Sequence, residues 1–140
     1  MNIPDFAAHL EWAEARRQFP YEDSVGKITI GCGRNLDDVG LSDAEIDVLL
    51  QNDIERVLAE ASRLPYWDRL DDVRQLVITD MVFNMGASRF RGFVRTNAAL
   101  AAGDYQSAAN EMLDSRWARQ TGRRARKLVE AMRTGEWRRE

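Results

Sequence analysis

Cysteine and histidine are almost missing from this 140-residue chain, which has one of each, Cys32 and His9. A lone cysteine excludes an internal disulfide, and one histidine with one cysteine gives no zinc-site spacing. No metal or other cofactor is expected, and neither staple is at hand to hold the fold. Long apolar runs are lacking too: none approaches the roughly 20 residues that cross a bilayer. The start Met1-Asn2-Ile3-Pro4-Asp5 lacks the basic-then-apolar pattern of a signal peptide, so neither membrane insertion nor export by a leader is expected. Proline is scarce, with three residues, and the nine glycines are spread as punctuation; repeats, low-complexity tracts and linkers are absent. What remains is a chain that is 44% hydrophobic, enough for the core of one compact, monomeric, cooperatively folding domain.

Charge is unevenly spread. Residues 111–140 carry nine Arg and Lys against five Asp and Glu, so within a net charge of −3 the first 110 residues hold −7. Arg123, Arg124, Arg126 and Lys127 form either a solvated helical face or a contact for an anionic polymer. The pI of about 5.3 and the lack of a recognised motif argue against nucleic acid as a partner.

The pattern is α+β and mainly helical. Ile3, Phe6, Ala7 and Leu10 share a stripe on a first helix that starts at Pro4 and ends before Pro20. The turn Glu22-Asp23-Ser24-Val25-Gly26 then leads into Lys27-Ile28-Thr29-Ile30-Gly31, whose β-branched residues make it the one convincing β element. Ser42 and Glu45 form a capping box for a long helix through Leu58. A core helix is expected over Asp72–Met85, stopped by Gly86. Shorter helices should cover 90–102, 104–113 and 123–133, broken at Gly103 and Thr121-Gly122 and ended by Gly135.

Three residues could carry chemistry. Glu14 continues the apolar stripe of Phe6 and Leu10 in the last helical turn, where burial and the negative end of the helix dipole both raise a carboxyl pKa, as a general acid requires. Paired with an arginine at the edge of the core, the same residue would be purely structural. Asp23 alone reads as turn chemistry and Thr29 alone as an ordinary strand residue. Together the three could flank one cleft, with an acid for the leaving oxygen and groups to place water at a sugar carbon.

Glu14, eight residues, Asp23, five residues and Thr29-Ile30-Gly31-Cys32-Gly33 resembles the active-site signature of the T-even phage lysozymes, glycoside hydrolase family 24. The likeness continues through Met81–Gly86, Gly92-Phe93, Ser115-Arg116-Trp117, Gln120-Thr121, Arg124-Ala125 and Arg133–Trp137. It implies a two-lobed fold, a β-containing lobe near 15–60 and a helical lobe near 61–140 plus the first helix, joined by the long helix. It further implies an inverting muramidase acting on bacterial peptidoglycan, with Glu14 as general acid and Asp23 and Thr29 holding water. By the same likeness Phe83, Asn84 and Thr96 bind substrate, and Arg124 sits beside Glu14, opposing the upward pull on its pKa. Trp67, Trp117 and Trp137 are expected in the core and Trp12 at the surface. A phage or prophage endolysin of this kind waits in the host cytoplasm until a holin opens the membrane.

Four departures bear on transfer of function. Ala15 stands where the family has Gly, Arg34 where it has His, Asn84 where it has Gln, and the 34–41 segment is shortened. Arg34 is expected to keep the family's ion pair by engaging Asp53. A lysozyme fold kept only for binding or scaffolding is the alternative these departures leave open.

Overall fold

The computed structural model describes residues 1–139. Backbone contacts divide the chain into two compact units, one covering 1–50 and the other running from Gln51 onward. The class is α+β: helices dominate, and three short antiparallel strands form one sheet.

The first unit opens with α1 (Ile3–Glu14), capped by the Asn2 side chain, which accepts from the Asp5 N–H at 3.1 Å, with Pro4 in the first turn. The helix ends at Glu14, in the turn expected to be its last, because Ala15 takes φ 64° and ψ 166°. Strand β1 (Arg17–Glu22) follows directly and includes Pro20, which had been expected only to bound the helix. Pairing of β1 with β2 (Ile28–Gly31) matches Arg17 to Gly31 and Tyr21 to Thr29, with an irregularity between Arg17 and Tyr21. Pro20 falls within it, where a residue without an N–H does not break the ladder. Strand β3 (Arg34–Asn35) closes the sheet in the order β1-β2-β3.

Polar side chains do much of the fastening here. Asp37 accepts from the Ile28 N–H at 2.8 Å, and Asn35 and Asp38 bond each other in both directions. The expected capping box forms: the Ser42 N–H donates to Glu45 Oε1 and the Glu45 N–H to Ser42 Oγ, starting α2 (Asp43–Ala61). Helix α2 begins in the first unit and ends in the second.

The second unit holds the buried hydrophobic residues of the described chain, all between Val57 and Met132. Helix α3 (Asp72–Met85) has the bounds read from its pattern, an Asp71 cap and a Gly86 stop at φ 89°. Its Val77, Ile78 and Met81 are fully buried, whereas Leu76 lies outside the core. The single helix expected over 90–102 is instead two, α4 (Ala87–Arg91) and α5 (Val94–Ala101), parted at Gly92-Phe93. Asn97 fixes the break: its amide donates to the Phe90 and Phe93 carbonyls, and its Oδ1 accepts from the Tyr66 hydroxyl at 2.6 Å. Burial pushes that phenol's pKa upward, so it stays a donor.

Helices α6 (Tyr105–Leu113) and α8 (Arg123–Thr134) pack against each other and bury Ala108, Ala109, Met112, Ala125, Leu128 and Met132. Between them α7 (Arg116–Thr121) fills what the pattern left as a break. Arg74 of α3 donates to the Met132 and Arg133 carbonyls, satisfying the end of α8, while its guanidinium lies 4.0 Å from the Tyr105 ring centre. Asp71 completes this strut; burial raises its carboxyl pKa, but bonds and charge from Arg74 outweigh that and leave it lowered. Among the described residues no helix is long and apolar enough to cross a membrane.

Candidate active site

Glu14, Asp23 and Thr29 all belong to the first unit. Glu14 is the last residue of α1, and its side chain rests on the tight turn between β2 and β3. A Cβ on Gly33 would lie 2.8 Å from Glu14 Cδ, 2.9 Å from Cγ and 3.0 Å from Oε2. Only a residue without a side chain leaves room for the carboxyl there, and Gly33 also has φ +77°, which favours glycine. The expected burial of Glu14 does not hold: it is exposed, and α1 contains no buried residue. The helix is so short beyond Leu10 that its stripe runs out at the turn to β1, leaving Glu14 over backbone rather than in a core.

Asp23 and Thr29 each bond the backbone of Lys27. Asp23 Oδ1 accepts from the Val25 and Lys27 N–H groups, both at 2.9 Å, which fixes the carboxylate over its own turn. Among the described residues, only Oδ1 of this carboxylate has a hydrogen-bond partner. The Thr29 hydroxyl donates to the Lys27 carbonyl at 3.0 Å, and Thr29 is 3% exposed, the buried polar residue of this unit. One peptide residue thus holds both side chains, its N–H bound to the acid and its carbonyl to the hydroxyl. A donor bond to Lys27 leaves the Thr29 oxygen lone pairs to accept.

Arg34 does not pair with Asp53. Its Nη1 lies 2.7 Å from Glu45 Oε2 and also donates to the Gly40 carbonyl, while Asp53 pairs with Arg56. Glu45 stands in the first turn of α2, held toward the loop by its capping bonds, whereas Asp53 lies eight residues, about 12 Å, farther along the helix. The Arg34 hydrogen bond, followed by those from Ser42, lowers the Glu45 carboxyl from an ordinary 4.5 to about 2.

The remaining residues named from sequence lie in the second unit. Phe83 is 48% exposed on α3, Asn84 Oδ1 accepts from the Trp117 indole N–H at 3.1 Å, and Thr96 is 2% exposed on α5. Arg124 pairs with Asp80 at 2.7 Å. Trp117 is buried and Trp67 packs at the core edge, as expected, and Trp12 is 82% exposed. Trp137 departs from expectation: it is 36% exposed, lying beyond the Gly135 end of α8 with the Lys127 ammonium 5.3 Å from its ring centre.

A family model described as phage lysozyme matches residues 11–136, a span that includes the whole Glu14–Gly33 segment. The chain belongs to the phage lysozyme family. Two proteins of Dictyostelium discoideum, Probable T4-type lysozyme 2 and Probable T4-type lysozyme 1, are each 24% identical to it over 156 residues, covering 90% of this chain and 92% of theirs. A segment of the pre-baseplate central spike protein Gp5 of Enterobacteria phage T4 is 31% identical over 84 residues, covering 59% of this chain and 15% of that protein. Membership in this family makes the chain a lysozyme-like hydrolase.

Two features of this lysozyme-family site escape the sequence. Glu45 as the partner of Arg34 was announced only as a capping residue, and its second role depends on where the 35–41 loop returns. Ala15 was visible as a departure, but its positive φ, directly after Glu14, was not.

Proposed function

We propose that this chain is a muramidase that hydrolyses the β-1,4 bond between N-acetylmuramic acid and N-acetylglucosamine in peptidoglycan, with inversion at the anomeric carbon. The observation that carries the proposal is the seating of the Glu14 carboxyl on the Gly33 turn of the sheet whose own turn and strand supply Asp23 and Thr29. Glu14, protonated, gives its proton to the glycosidic oxygen as the bond to the anomeric carbon breaks. A water on the opposite face of the sugar attacks that carbon. Asp23 Oδ2 accepts one of its protons, and the Thr29 oxygen accepts a hydrogen bond from the other. Because Asp23 Oδ1 is already fixed by two backbone N–H groups, the acceptor is held in place before substrate arrives.

The same proposal assigns substrate contacts to Phe83 and Asn84 and a supporting role to Arg124, on the strength of the family pattern; Thr96, at 2% exposure, is too buried for the contact expected of it. The chain acts as one monomeric lysozyme domain, an endolysin that reaches the wall after a holin opens the membrane. The match to a segment of a baseplate spike protein favours a second location for the same chemistry, as a domain carried by a virion. Peptides of this chain in purified particles would support that location, and their recovery from lysate alone would support the endolysin.

Purified peptidoglycan treated with this protein should yield new reducing ends, with the inverted anomer predominating in freshly formed product. Anhydro-sugar ends would make it a lytic transglycosylase. Binding to peptidoglycan by folded protein without any new ends would make it a binding module.

A further inference from the structure

Gly33 is the one glycine of the described chain whose missing side chain is replaced by a carboxylic acid. The positive-φ glycines Gly26, Gly31, Gly86, Gly103 and Gly122 have open space where a Cβ would go, so their backbone angle alone explains them. At Gly33 the space is filled by Cγ, Cδ and Oε2 of Glu14. Those atoms are the free end of a flexible side chain on an exposed helix terminus, so a methyl group at 33 would push them aside at small cost to the fold. The chemistry would bear the cost instead, because a proton donor works only within hydrogen-bond reach of the oxygen it serves.

We propose that Gly33 is a positioning residue, setting where the Glu14 carboxyl sits by leaving a cradle for it on the β2–β3 turn. The inference rests on Glu14 being the acid. Backbone strain and displacement of the acid are separable within the same turn, because Gly31 has φ +69° against +77° at Gly33 and a Cβ added there would meet nothing within 4 Å. Alanine at either position carries the same kind of backbone penalty, and only at 33 does it meet Glu14.

The test compares Gly33→Ala, Gly31→Ala and wild type on purified peptidoglycan, with denaturant midpoints measured on each. Both variants should lose similar stability. Gly33→Ala should lose about 100-fold in kcat at nearly unchanged KM, the scale expected for a misplaced catalytic group, and Gly31→Ala should stay within a few-fold of wild type. The alkaline limb of the pH profile, where a general acid loses its proton, should also move in Gly33→Ala alone. Should the alanine at 33 fold poorly, Gly33→Asn adds the same Cβ with a residue that tolerates positive φ, and it should show the same kcat loss. Equal activity in the variants at 31 and 33 would overturn the inference. If Glu14→Gln keeps full activity, the assignment of the acid fails instead, and the two failures are told apart by that single variant.

Discussion

The two units of this molecule are held by different forces. From residue 51 onward the chain buries Val77, Ile78, Met81, Phe90, Met112, Leu128 and Met132 completely, and nonpolar burial of about 1.5–3 kcal/mol per large side chain dominates. The first 50 residues bury Thr29 and no large hydrophobic residue, and their turns are fastened by Asp23, Asn35, Asp37, Asp38, Ser42 and Glu45. Hydrogen bonds fix direction, whereas apolar packing mainly fixes volume. The unit with the directional fastenings is the one that carries the proposed catalytic residues.

If that contrast is right, disturbing each unit should have a different signature. Met132→Ala, in the second unit's core, should lower unfolding free energy by about 2–5 kcal/mol while the turnover of the remaining folded protein stays near wild type. Calorimetry with activity scored per folded molecule separates the two quantities. Asp23→Asn should do the reverse. An asparagine keeps an oxygen for the Val25 and Lys27 N–H groups, so stability should move by only about 0.5 kcal/mol, but it loses the charge, and release of reducing ends should fall about 10-fold or more. A large stability loss in Asp23→Asn would blur the comparison.

Ala15 sharpens it further. At φ 64° and ψ 166° it occupies a region suited to glycine, a strain held directly after the proposed acid. Ala15→Gly should raise stability by about 1 kcal/mol, read as a higher denaturant midpoint; no gain would mean that the angle is not strained in solution. The smallest effect concerns acid. The Glu45 carboxyl is depressed to about 2, so its contribution is complete above its ordinary value of 4.5 and fades as pH falls from there through about 2. Both Glu45 and Arg34 face water, so salt should shrink the effect, and Glu45→Gln should flatten the stability profile over that window.

Legibility in the sequence also divides along this line. Helix α3 was readable because an apolar run ends at Gly86, and the Ser42/Glu45 box gave the start of α2. Strand β1 was not, since Pro20 reads as a breaker and the bulge that tolerates it is a property of the pair rather than of one strand. The break between α4 and α5 needed Asn97 and Tyr66, 31 residues apart in sequence. In the candidate site, likeness to a family signature singled out Glu14, Asp23 and Thr29, whereas the exposure of Glu14 and the choice of Glu45 by Arg34 depended on where a helix stops and a loop returns. Periodicity carries information about packing faces; it carries little about which of several nearby polar groups will meet.

The most direct test of the central claim is the release of reducing ends from purified peptidoglycan by Glu14→Gln beside wild type, with thermal unfolding recorded on the same samples. Unchanged unfolding with a loss of about 100-fold or more is the expected result. Near-wild-type release by the folded variant would contradict it.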